Sequence, residues 1–112
     1  MARQIQEIDY TKVTNIAADA ALNSYGVVAI ANRKVDKDQP QKTMKGKAEE
    51  GIFVKSKSEG TFALDVYLLF APGIKITEAL RECQKTIKFK LDKQFPKLCR
   101  EVNVYAVDIS AK

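Results

Sequence analysis

The sequence predicts an α+β fold: a mixed β-sheet of four to five strands with two helices packed on one face, in the order (β)αβββαβ. Three observations carry this. Residues 61–70 (Thr-Phe-Ala-Leu-Asp-Val-Tyr-Leu-Leu-Phe) form the most apolar run, bounded by Gly60 and Pro72-Gly73. A run this short between turn signals, rich in β-branched and aromatic residues, reads as a strand buried on both faces. Two other stretches, residues 13–22 and 76–95, repeat apolar residues at three- and four-residue steps, the period of a helix packed on a core. The second of these separates two strand-like runs, which makes it a crossover between strands of one sheet.

The elements follow in order. Residues 4–8, with Ile5 and Ile8, read as a short edge strand. Asp9 is a candidate N-cap, because its short carboxylate can accept from the free amides of a first helical turn. Val13, Ile16, Ala17 and Ala20 then mark the helix, and its many alanines let the backbone lie close to a sheet. Asn23-Ser24-Tyr25-Gly26 ends it, with Gly26 predicted as a left-handed C-cap. Residues 27–33 read as a strand. Residues 35–50 contain Pro40, four acidic residues, four lysines and no apolar run. They read as a long polar connection between neighbouring strands. Connections beyond about 12–15 residues are uncommon and tend to be functional or mobile.

Gly51 opens the next strand, residues 52–58. Ile52 and Val54 alternate there with Phe53, Lys55 and Lys57, so one face is wet and the strand lies near an edge. A tight turn at residues 58–61, with Gly60 free to take a positive φ, makes a hairpin with the apolar run. After Pro72-Gly73, Thr77 is the predicted N-cap of a second helix. Its stripe is Ile76, Leu80, Cys83, Ile87, Leu91 and Phe95. Glu78 and Glu82 in its first turns and lysines in its last suit the helix dipole, and Pro96 stops it. Residues 101–109 close the fold, with Val102, Val104 and Ala106 on one face and Asn103, Tyr105 and Val107 on the other.

At 112 residues with 46% apolar content, the chain is predicted to be one domain spanning residues 1–112, with a real core. The net charge is +5, and residues 75–100 alone hold eight basic side chains against three acidic ones. The rest of the chain sums to zero, so the positive charge belongs to one element, the stretch that holds the second helix. There is no histidine, which excludes His-based triads and zinc sites of the usual kind. Cys83 and Cys99 form no CxxC pair and read as reduced thiols, one in the core and one near a helix end. No GxGxxG or GxxxxGK[ST] stretch is present, and no cofactor is expected. Asp65 breaks the central apolar run. With no partner for acid–base chemistry, it reads as ion-paired to a lysine or capped by backbone rather than catalytic.

Met1-Ala2-Arg3-Gln4 opens no signal peptide, and no apolar run approaches the ~18–20 residues that span a bilayer. The expectation is a cytoplasmic protein with no direct membrane insertion, membrane-associated only through a partner or surface charge. Phe89 lies about 140° around the second helix from its apolar stripe. With Arg81, Lys85, Lys88 and Lys93 it forms the candidate partner surface. An exposed aromatic among lysines suits a protein anchor or base stacking. GXXG and aromatic RNP1 signatures are absent, which argues against nucleic acid and leaves an RNA-associated module as an alternative.

Three stretches together resemble the alkaline shock protein family, also called the envelope stress response family, of Gram-positive-type bacteria. The first is Ile8-Asp9, Val13, Ile16-Ala17-Ala18 and Tyr25-Gly26-Val27-Val28-Ala29-Ile30-Ala31. The second is Gly51-Ile52-Phe53-Val54, Leu64-Asp65-Val66-Tyr67-Leu68-Leu69 and Gly73-Ile74-Lys75-Ile76, with Gln84 where the family's long helix carries its usual glutamine. The third is Glu101-Val102-Asn103-Val104-Tyr105-Ala106-Val107. The chain departs at Phe95-Pro96-Lys97-Leu98-Cys99, where members usually carry Thr-Gly, and at residues 35–50. The resemblance implies a small non-enzymatic protein of the stress response type, with no catalytic or cofactor-binding residues to carry over. It would act by binding a membrane anchor protein or by self-associating as a homo-oligomer. The alternative implied by the Tyr25-Gly26-Val27-Val28 turn is a regulatory partner of a dihydroxyacetone-kinase-like or fatty-acid-kinase protein in lipid metabolism.

Overall fold

The computed structural model describes residues 9–32 and 51–109, with the side chains of residues 108 and 109 left aside. Within them run α1 (Tyr10–Leu22), β1 (Val27–Ile30), β2 (Ile52–Ser56), β3 (Phe62–Phe70), α2 (Ile76–Gln94) and β4 (Cys99–Ile109). The strand expected at residues 4–8 and the polar connection at 35–50 lie outside the described residues.

Asp9 caps α1 as expected: its Oδ1 accepts from the amides of Thr11 at 3.0 Å and Lys12 at 3.4 Å. Val13, Ala17, Ala18, Ala20 and Ala21 are buried. The helix end differs from the prediction. Asn23 is the C-cap; its side-chain Nδ2 donates to the Asp19 carbonyl at 2.7 Å. That bond satisfies a last-turn acceptor, so no left-handed residue is needed there. Gly26 does take φ +82, but three residues on, in the turn into β1, where Ile74 packs against it.

β3 is the centre of the sheet. β4 runs parallel to it along one edge from Phe62 to Phe70. The other edge is shared: β2 pairs antiparallel with residues 62–66 and β1 with residues 68–70. Between them the Ala31 amide donates to the Tyr67 carbonyl at 2.9 Å. The partner series on this edge therefore runs Ile30, Ala31, Ile52 opposite Leu68, Tyr67, Val66. β1 and β2 are two halves of one interrupted strand, lying end to end. This corrects the reading of residues 35–50 as a link between side-by-side strands. Gly51 sits at the seam, where a Cβ would collide with the Ala31 carbonyl oxygen and the Ile30 side chain.

Strand ends shift by a few residues from the prediction. β1 stops at Ile30. β2 stops at Ser56, because the Lys57 amide already closes the hairpin onto Thr61 at 2.8 Å. Glu59 (φ 59) and Gly60 (φ 77) make the turn. α2 starts two residues earlier than Thr77 suggested. Lys75 is its N-cap, extended and without a side-chain cap bond, and Thr77 lies inside the first turn. Here Ile74 and Ile76, both packed on the core, fix where the helix begins. Its buried stripe is Ala79, Cys83, Ile87 and Leu91, with Ile76 and Leu80 half-buried beside it. Ala79 was absent from the predicted stripe. β4 begins at Cys99, two residues early, since the Phe62 amide pairs with the Leu98 carbonyl at 2.9 Å.

Both helices cover the same face of the sheet. Phe62, Leu64, Val66, Leu68 and Phe70 point into one core with the buried residues of α1 and α2. Phe95 closes one end, edge-on to Phe62 at 5.8 Å. Each fully buried large side chain contributes about 1.5–3 kcal/mol through removal from water, so this face carries most of the fold's stability.

Candidate functional site

Among the described residues the opposite face of the sheet carries no helix. Alternation along β3 places Ala63, Asp65, Tyr67 and Leu69 there. Asp65 meets Lys55 of β2, Nζ to Oδ2 2.8 Å, and Asn103 of β4, whose Nδ2 donates to its Oδ1 at 3.1 Å. Asn103 Nδ2 also reaches Glu101 Oε2 at 2.9 Å. Burial pushes the Asp65 carboxyl up. The hydrogen bonds from Lys55 and Asn103 and the nearby lysine charges outweigh it and hold the group below its usual value. The same hydrogen bond raises Lys55. Asp65 is thus a cross-strand ion-pair partner, as its position in the sequence suggested.

Next to that cluster three rings cross the sheet. Phe53 of β2 meets Tyr67 of β3 edge-on at 5.8 Å, and Tyr67 stacks on Tyr105 of β4 at 4.9 Å. Tyr105 remains 43% exposed and Val107 39% exposed. None of these rings figured among the candidate site residues. The period-two pattern in each strand was the available signal, but only the pairing register brings the three together.

β4 has β3 on one side, and among the described residues no strand pairs with its other edge. Backbone groups of alternate residues point to alternate edges of a strand. The Phe62 amide bonds toward β4 and the Tyr67 carbonyl toward β1. The register then turns Val102, Val104 and Ala106 outward. Residues 102–107 (Val-Asn-Val-Tyr-Ala-Val) carry no charge and no proline, the usual devices that blunt a free edge. One outward group is engaged: Gln84 Nε2 of α2 donates to the Val102 carbonyl at 2.6 Å. A groove of about 280 Å³ follows this edge, lined by Thr77, Leu80, Arg81 and Gln84 of α2 and by Asn103, Val104 and Tyr105.

The predicted surface residues all lie on α2, in different settings. Arg81 lines the β4 groove. Lys88 is ion-paired with Asp92 at 2.8 Å. Phe89 is 61% exposed on the outer side of α2, with Lys93 Nζ 5.1 Å above its ring. Lys85 is exposed. Burial raises both thiols, Cys99 to about 11, so each stays protonated at neutral pH. Among the described residues no three His, Cys, Asp or Glu side chains are grouped to hold a metal, and no helix is long and apolar enough to cross a membrane.

Among the described residues, the class defined by these features is a small α+β domain with two helices on one side of a mixed sheet and a strand edge that no other strand covers. The model of the alkaline shock protein family, described as having a cell envelope-related function, matches residues 2–111, and the chain belongs to that family. Its relatives include the uncharacterized protein Spy1614 of Streptococcus pyogenes serotype M6, 31% identical over 104 residues, which cover 92% of this chain and 85% of that protein. Another is YloU of Bacillus subtilis strain 168, 25% identical over 100 residues, 88% of this chain and 82% of that one. Among solved structures, a variant of the MamM CTD shares the fold with a TM-score of 0.53 at 11% identity, covering 88% of this chain and 94% of that one. A zinc form of the MamM CTD gives a TM-score of 0.51 at 11% identity, covering 92% and 86%. At such identity the likeness concerns the fold alone.

Proposed function

We propose that the whole chain acts as one non-enzymatic protein-interaction module of the cell envelope, holding a protein partner through the β4 edge and the adjoining surface of α2. The observation that carries this reading is the uncharged, proline-free run at residues 102–107 on an edge that no other described strand pairs with, with Tyr105 and Val107 exposed. Soluble proteins generally blunt such an edge, because it invites pairing with another chain. The partner is a protein, such as a membrane anchor that would tether this chain or a kinase-like enzyme that it would regulate. Arg81, Lys85, Lys88, Phe89 and Lys93 remain the proposed basic flank of the site. Base stacking by Phe89 is not favoured, since Lys93 already sits over its ring.

A photo-crosslinking phenylalanine analogue placed at Tyr105, and separately at Phe89, tests this in cells. Protein adducts from Tyr105 are expected on irradiation. If light yields only RNA adducts, or no adduct from either position, the reading fails.

A further inference from the structure

We propose that the groove between α2 and β4 binds an extended acidic segment of a partner protein, which adds as a new strand to the outer edge of β4. This deepens the interaction-module reading and rests on it. The first argument is the bond already made there. The Gln84 side chain is a primary amide, the same chemical group as a peptide unit. Its Nε2 donates at 2.6 Å to the Val102 carbonyl, an outward group of the edge. It occupies the place that an N–H of an added strand would take. The next outward groups along β4, those of Val104 and Ala106, belong to half-buried and exposed residues in a stretch without charge or proline. A strand laid along them would form a continuous ladder, with affinity from the main chain and selectivity from alternate side chains.

The second argument is charge. Helical geometry puts Thr77, Arg81, Gln84 and Lys88 on one flank of α2; Lys88 is already ion-paired with Asp92, and Arg81, with Gln84, lines the groove itself. Glu78 and Glu82 fall well round the helix from that flank. An added strand would show every second side chain to this basic flank and the others to the open face beside Tyr105. A segment alternating acidic and apolar residues satisfies both. A second copy of this chain is the other strand donor to consider. Edge-to-edge pairing of two copies would set two α2 helices side by side on one face of the joined sheet. Each α2 carries five basic side chains against three acidic ones, so a net like charge would oppose that arrangement.

The probes are a blocked decapeptide of alternating glutamate and valine, the same peptide with lysine for glutamate, and the glutamate peptide N-methylated at alternate amides. Binding is followed by amide NMR shifts and hydrogen exchange of the full chain. The acidic peptide is expected to bind and to slow exchange at Val104 and Ala106 by about tenfold or more. The lysine and N-methylated peptides are expected to bind at least about tenfold more weakly, the first by charge and the second by loss of ladder donors. Arg81→Glu should weaken the acidic peptide by about fivefold or more. Gln84→Ala, which frees the Val102 carbonyl, should strengthen it. Equal binding of the acidic and lysine peptides, equal binding of the N-methylated peptide, or unchanged exchange along β4 overturns the proposal. Crosslinking of a folded protein at Tyr105 without binding of any short peptide would overturn strand addition while leaving the interaction module standing.

Discussion

β3 presents two faces made by the same nine residues, and they do different work. On the helix side Phe62, Leu64, Val66, Leu68 and Phe70 are all buried in one apolar cluster. On the other side Asp65 and Tyr67 are half-buried and engage β2 and β4 through an ion pair, hydrogen bonds and stacked rings. The contrast separates stability from specification. Dry apolar burial scales with area and tolerates no gap. Cross-strand pairs each contribute well under that but depend on register, so they select which strands lie opposite one another. The edges of β3 repeat the lesson, since one holds a single parallel strand, with two register shifts, and the other holds two antiparallel strands end to end.

The largest effect is expected on the covered face. Leu68→Ala should lower stability by about 3 kcal/mol, through lost transfer energy and the cavity left behind, measured by urea unfolding. Gly51→Ala comes next. A side chain at the seam of β1 and β2 meets backbone rather than a flexible group, and a loss of about 2 kcal/mol is expected. A stability equal to wild type would show that the two half-strands are not held end to end. On the open face Tyr67→Ala removes the middle ring of three and should cost about 1.5 kcal/mol. A cost as large as that of Leu68→Ala would erase the distinction between the faces.

The smallest effect is expected at Asp65. Asp65→Asn should cost less than about 1 kcal/mol at neutral pH, because Lys55 is exposed to solvent. Its sharper signature is pH dependence. The folded-state carboxyl sits below its ordinary value of 3.8. It therefore contributes stability that is present above 3.8 and is lost as pH falls from there through the lower folded value. Urea midpoints compared at neutral pH and through that acid range should show this loss in wild type and not in Asp65→Asn. Identical acid profiles would mean the ion pair contributes nothing.

Much of this protein was determined by local pattern. The helical period at Val13, Ile16, Ala17 and Ala20, the Asp9 cap, the hairpin turn at Gly60 and the apolar run of β3 each follow from side-chain size and backbone freedom within a few residues. So does the family resemblance, whose marker residues sit on those same elements. The Lys55 partner of Asp65 was legible as a type of contact but not as a particular residue.

The rest was decided by tertiary structure, because it depends on which strands become neighbours. Residues 27–33 and 52–58 read as two strands in sequence. Only their pairing with β3 joins them end to end and explains why Gly51 stands at the seam. Phe53, Tyr67 and Tyr105 lie far apart in the chain and meet through register alone. Gln84 is one more polar residue on a helix until α2 is laid over β4, where its amide closes on the Val102 carbonyl. The candidate site is an edge, and it exists only once the sheet has been assembled and, among the described residues, β4 is left with a strand on one side alone.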